Sequence, residues 1–330
     1  MPEVKKEKPS ILSGTIEENA QSPQVDNFCL AHISDLHLTS LLNVKCSQLC
    51  NKRLLGYLSW KRKRRWVHRR EIVEALVKDL NVMCPQHIVV TGDLTHIGLP
   101  DEFTEAAQWL PNLGPAERVT VIPGNHEAYV GHNWSNSLTS WAPYLLSDSK
   151  PEITQAEGFF PSLRIRGQIA LIGLCSARPS LPFFAVGSLG TKQLRLLAKL
   201  LKETGEAGLM RVVLVHHPPV PGTTGWRKRL VDDKAFSDVV SQHGAELVLH
   251  GHTHTSTLRE LHGPTGAIPI ISVPSASELN PRKRRCAGYN LYRIKPNGSS
   301  WDLSMTVRRY AAKTAGFIEE RQVNLGKPRL

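Results

Sequence analysis

Five apolar runs of strand type each end in a polar cluster, and this repetition constrains the chain more than any other feature. In order, residues 28–33 lead to Asp35 and His37, residues 87–91 to Gly92-Asp93, and residues 119–122 to Gly124-Asn125-His126-Glu127. Residues 211–215 lead to His216-His217-Pro218-Pro219, and residues 247–249 to His250-Gly251-His252-Thr253-His254. Short apolar runs bounded by glycine or proline read as buried strands. Helical periodicity falls between them: Ile72, Val73, Leu76, Val77 and Leu80 share one stripe, Phe103, Ala106, Ala107 and Leu110 another, and residues 194–201 and 232–243 two more. A hairpin is predicted around Arg166-Gly167-Gln168, and further strands at 257–261, 268–273, 289–294 and 301–307. Strands alternating with helices, then a strand-rich second half, predict an α/β (α+β) sandwich of two mixed sheets flanked by helices.

The strand ends carry the chemistry. In α/β folds, ligands bind in the loops beyond strand C-termini. Convergence there would gather several imidazoles, the carboxylates of Asp35 and Asp93, and the amide of Asn125. Two unpaired buried carboxylates would be costly, and a metal ion removes that cost. Neutral imidazole is the commonest metal ligand, and His252 and His254, two apart on extended backbone, share a face. Mixed nitrogen and oxygen donors suit manganese, iron, zinc or nickel. There are too many donors for one tetrahedral ion, and the number suits two ions sharing a carboxylate. Each cluster alone has a plainer reading: Asp93 after a glycine is also a turn residue or helix cap, Asn125-His126 is also turn chemistry, and His216-His217 before two prolines is also a structured loop. Their shared position behind five strands favours the metal.

Asp35-x-His37, Gly92-Asp93, Gly124-Asn125-His126-Glu127, His216 and Gly251-His252-x-His254 together resemble the five signature blocks of the calcineurin-like metallophosphoesterases, over residues 28–275. The resemblance implies a four-layer α-β-β-α fold and two divalent or trivalent metal ions (manganese, iron or zinc). It assigns Asp35, His37 and His254 to the first metal, Asn125, His216 and His252 to the second, Asp93 to both, and His126 to the acid beside them. His216 is preferred to His217 because it directly ends its strand. The implied reaction is hydrolysis of a phosphoester or phosphoanhydride, with the metals activating a bridging water and neutralising phosphoryl oxygens.

Fold and metals do not fix the substrate. Residues 52–70 hold nine Lys/Arg and no acid, interleaved with Tyr57, Trp60 and Trp66. Such a segment is a solvated basic face, a phosphate-binding rim, or an anchor on an anionic membrane surface. Arg227, Lys228 and Arg229 follow the His216 loop and are expected to bind an anionic substrate. Arg282-Lys283-Arg284-Arg285 reads as surface charge. The net charge of +12, from 41 Lys+Arg against 29 Asp+Glu, favours anionic partners without choosing among them. Several motifs are similar to those of the bacterial cyclic-nucleotide phosphodiesterases. The basic, tryptophan-bearing segment is more like that of membrane-surface enzymes cleaving the pyrophosphate of UDP-2,3-diacylglucosamine. A nuclease and a non-catalytic basic binding module are weaker alternatives. Residues 1–26 read as a mobile tail, 27–310 as the metallophosphoesterase domain and 311–330 as a peripheral segment. Six scattered cysteines form neither a disulfide framework nor a zinc pattern. With no secretory signal and no apolar run of membrane-spanning length, a cytoplasmic location is expected, with peripheral contact at the inner membrane face as an alternative.

Overall fold

The structure is a computed structural model, and it describes residues 27–131, 134–148, 158–298 and 300–326. The expected N-terminal tail lies outside the described residues, as do residues 132–133, 149–157, 299 and 327–330.

Two six-stranded mixed sheets form the frame. The first runs in the order β14 (Gly316–Asn324), β13 (Ser300–Ala311), β12 (Gly288–Asn297), β1 (Phe28–Ile33), β2 (His87–Val90), β3 (Val119–Val121). The second runs β4 (Ser162–Arg166), β5 (Ile169–Gly173), β6 (Met210–Val215), β7 (Leu247–His250), β9 (Ala267–Ser272), β8 (Thr257–His262). β1, β2 and β3 are mutually parallel, as are β5, β6, β7 and β9. A short ribbon pairs β10 (Leu279–Asn280) with β11 (Arg285–Cys286).

Side-chain alternation along the strands builds three apolar layers. Between the sheets lie Leu30, Val89, Leu171, Val212, Leu214, Leu247 and Leu249. Their neighbours point outward: Ala31, Ile33, Ile88 and Val90 meet α2 (Arg70–Met83) and α3 (Pro100–Trp109). Ile172, Val213 and Val248 meet α4 (Gly190–Glu206) and α5 (Asp233–His243). This is the four-layer sandwich expected from the sequence, because period-2 strands buried on both faces need a cover on each side. Residues 316–324, expected in a peripheral segment, form the edge strand β14, and Phe317 is buried against Tyr289 and Tyr310. All six cysteines are free, and no helix among the described residues is long and apolar enough to cross a membrane.

The basic segment is helical. Helix α1 (Arg53–Ser59) runs into a π-helical turn (Trp60–Arg64). Trp60, 5% exposed, seats this turn against Leu41, Ile97 and Leu99.

Candidate metal centre

The loops after β1, β2, β3, β6 and β7 meet at one edge of the sandwich. Asp35, His37, Asp93, His252 and His254 have φ of 53°, 44°, 59°, 69° and 54°. These left-handed values are unfavourable for side chains other than glycine, by on the order of 1–3 kcal/mol each, so the surroundings must enforce them. Backbone bonds tie the loops together: Asp35 N–H donates to Gly92 O (2.9 Å) and His37 N–H to Asp93 O (3.0 Å). His252 N–H donates to Asp35 Oδ2 (3.0 Å), and His126 N–H to Asp93 Oδ1 (2.8 Å). Buried Glu127 accepts from the N–H groups of Gly124, Asp93, Leu94 and Thr95 at 2.6–3.0 Å. Burial and the Asp93 charge push its carboxyl up to about 7, against the opposing pull of the Thr95 and Gly124 N–H groups and of His216. Gly124 is required by space, since a Cβ there would collide with Asp93 Oδ1 and the His216 ring.

Hydrogen bonds decide which imidazole nitrogen faces inward. His37 Nδ1 meets Thr95 O at 2.8 Å, and His216 Nδ1 meets Thr91 O at 2.6 Å. A carbonyl only accepts, so both Nδ1 atoms carry a proton and each neutral ring presents the Nε2 lone pair. His254 Nδ1 is held by Glu278 Oε2 at 2.9 Å. Its Nε2 lies 3.2 Å from Asp35 Oδ1, a buried oxygen with no other hydrogen-bond partner. His216 Nε2 lies 3.1 Å from Asn125 Oδ1, and 3.3 Å from both Asp93 Oδ2 and His252 Nδ1.

Donor atoms of Asp35, His37 and His254 lie within 4.8 Å of one another, as do those of His37, Asp93 and His126, and those of Asp93, His216 and His252. Asp93 stands in two of these sets. Lone pairs facing one another at such distances need a proton or a cation between them. With no cation, burial lowers His216 and His254, but their carboxylate neighbours more than offset it: Asp93 and then Asp35 push His216 up to about 9, and Asp35 and then Glu278 push His254 up to about 9. The donor chemistry therefore fits cations. His216 joins the cluster, whereas His217 turns to Ser176 Oγ at 2.8 Å.

The surrounding pocket, about 420 Å³, is lined by Arg64, His68, Lys228, Lys283 and Arg285 besides the cluster. Of the three expected substrate contacts, Lys228 lines it. Arg227 lies over the Phe184 and Trp226 rings instead, and neither it nor Arg229 is in the lining. Lys283 and Arg285, read from sequence as surface charge, are in the lining. Arg64, His68 and Glu278 carried no individual signal: in a run of five basic residues the sequence does not show which one turns inward, and Glu278 lies 24 residues beyond the histidine it holds.

The calcineurin-like phosphoesterase family profile matches residues 30–256. A probable cyclic nucleotide phosphodiesterase of Synechococcus is 27% identical over 233 residues, covering 68% of this chain and 78% of that protein. A dimetal phosphatase from Danio rerio superposes with a TM-score of 0.57 at 14% identity, covering 91% of this chain and 99% of its own. The last likeness bears on the fold alone.

Proposed function

The chain belongs to the calcineurin-like phosphoesterase family of metal-dependent phosphoester hydrolases, and from that membership we propose a dinuclear hydrolysis of a phosphodiester or phosphoanhydride at the strand-end cluster. The observation that carries this reading is the position of Asp93, which shares donor sets with His37 on one side and with His216 and His252 on the other. Asp35, His37 and His254 would hold one cation, Asn125, His216 and His252 the other, and Asp93 both. Bound there, the two cations supply water activation near neutral pH and charge neutralisation at phosphoryl oxygens.

The protein's own groups do the positioning. Thr91 O, Thr95 O and Glu278 fix the tautomers of His216, His37 and His254. His126 Nδ1 is tied to His96 O at 2.5 Å, so a proton for the leaving oxygen would pass through Nε2. Burial, and then the Arg64 charge, hold His126 well below the usual imidazole range. An arriving anionic substrate offsets the Arg64 charge and raises the ring's basicity, while the effect of burial remains.

For the substrate, the Synechococcus relative's name supports a cyclic nucleotide. A specific observation favours a second reading, an amphiphilic phosphate at a membrane surface, as in the UDP-2,3-diacylglucosamine comparison. A cavity of about 700 Å³, lined by Leu36, Leu38, Trp60, Trp66 and Trp109 together with Arg65, Arg69, Arg70 and the carboxylates of Glu71, Glu74 and Glu105, shares His37 and His68 with the metal pocket. Leu54, Leu55, Leu58 and Trp66 are exposed among the basic side chains of the helical segment, as are Leu181, Phe183 and Trp226 nearby in the chain's loops. Lys52 Nζ joins helix and loop by bonding Ser180 O and Phe184 O. The test is turnover with added Mn²⁺ on 3′,5′-cyclic AMP, on UDP-2,3-diacylglucosamine in detergent, and on bis-p-nitrophenyl phosphate, each with and without chelator. Chelator-sensitive cleavage of the generic diester supports the dinuclear reading, and preference between the other two selects the substrate class. No metal-dependent cleavage of any of the three would sink it.

A further inference from the structure

Four cationic side chains converge on the metal pocket: Arg64, Lys228, Lys283 and Arg285. They reach it from three separate segments of the chain. Arg64 closes the π turn, Lys228 ends the turn Trp226–Lys228, Lys283 ends the turn Pro281–Lys283, and Arg285 belongs to β11. Among the described residues, Arg64, Lys228 and Lys283 form no ion pair with a carboxylate, and Arg285 approaches only Glu278, at 3.8 Å, which is already bonded to His254. Arg64 is the least free of the four. Its Nη1 lies 3.4 Å from both ring nitrogens of His126, and burial is the first cause lowering its pKa. Lys228 lies within reach of the other three: after burial, the charges of Arg64, Lys283 and Arg285 pull its ammonium down, opposed by Asp35. Cations gathered at one pocket repel one another, and an anion that joins them relieves that repulsion. Cations bound at Asp93 would add to that positive charge. One phosphoryl group engaged by the metal cluster leaves four further cations to be matched.

We propose that Arg64, Lys228, Lys283 and Arg285 form a second anion subsite, so that the substrate carries another phosphate next to the scissile one, as a pyrophosphate-linked or bisphosphorylated compound does. This rests on the dinuclear reading for the position of the scissile phosphate. Arg64 follows Trp60 by one helical turn, so the ring anchored in the apolar cluster and the guanidinium over His126 share a face. Guanidinium groups at 64 and 285 suit phosphate oxygens through paired N–H donors. A cyclic mononucleotide, with one anionic phosphate, would leave this subsite unmatched.

The test is calorimetric binding of inorganic orthophosphate and of methylenediphosphonate, a non-hydrolysable two-phosphate probe, to the manganese-loaded full chain. Free metal is buffered and bound metal checked. The expected result is that the second phosphonate tightens binding roughly 10- to 100-fold in the unaltered protein. That advantage should fall to within about 3-fold in Lys283→Met/Arg285→Met and in Arg64→Met, and be retained largely in Arg285→Lys. Equal binding of the two probes in the unaltered protein, or an advantage that survives in both charge-removing variants, overturns the subsite. Because binding is read without turnover, a protein that binds the probes as expected but shows no chelator-sensitive phosphodiester cleavage would contradict the catalytic reading alone.

Discussion

The donor cluster and the cationic rim above it share one pocket but are built in opposite ways. The residues from Asp35 to His254 proposed to hold metal leave the backbone within four residues of a parallel strand's end, and several do so in left-handed conformation locked by loop-to-loop hydrogen bonds. The rim cations come from a π turn, two single 3₁₀ turns and a two-residue strand. The difference teaches where precision is spent. Donors must meet within hydrogen-bond distances of each other, and rigid strands deliver that. A rim that selects charge tolerates irregular backbone, and its residues are correspondingly free to define the substrate.

The comparison breaks most easily at Asp93. Asp93→Ala is expected to lose bound metal and to lower turnover of bis-p-nitrophenyl phosphate by about 1,000-fold or more; elemental analysis finding two metals still bound would contradict the shared-carboxylate assignment. His126→Ala should keep its metal while losing about 100-fold or more in turnover. Full activity in that variant would remove His126 from the chemistry. Glu278→Gln, which weakens the grip on His254 Nδ1, should lower metal affinity by about 10-fold, measured by competition with a chromogenic chelator; an unchanged affinity would make that contact dispensable.

On the rim side, Trp60→Ala empties the seat of the π turn and should cost about 3 kcal/mol of stability. Chemical denaturation checks the loss, and an unchanged midpoint would mean the turn is held otherwise. Proton linkage gives the smallest effect. Without cations, His216 and His254 have pKa values raised to about 9, above the unfolded value near 6.5. Their stabilisation is therefore complete below about 6.5 and lost as pH rises through about 9. The melting temperature of metal-free protein should fall over that window, and Mn²⁺ affinity should rise over it as the imidazolium protons become easier to displace. A flat profile in both would detach these histidines from the carboxylates.

The same contrast explains what the sequence made legible. Strand runs 28–33, 87–91 and 247–249 each carry their own signal, and the residue that follows inherits its position from them. The two-sheet frame and the convergence of Asp35, Asp93, Asn125, His216 and His252 could therefore be expected. Arg64 could not, because it stands in a run of five basic residues, 61–65, that nothing local tells apart. Lys283 and Arg285 were hidden for another reason. Their ribbon is too short to show periodicity, and only its fold back over the pocket makes them lining residues. Glu278 needed the tertiary structure, since nothing local ties it to His254.

The most direct measurement is electron paramagnetic resonance of metal-free protein titrated with Mn²⁺, with turnover of bis-p-nitrophenyl phosphate followed in parallel. Two ions sharing Asp93 predict an exchange-coupled manganese signal that grows to two equivalents together with activity. An isolated six-line signal with activity complete at one equivalent, or activity that persists without any manganese bound, would contradict the dinuclear centre.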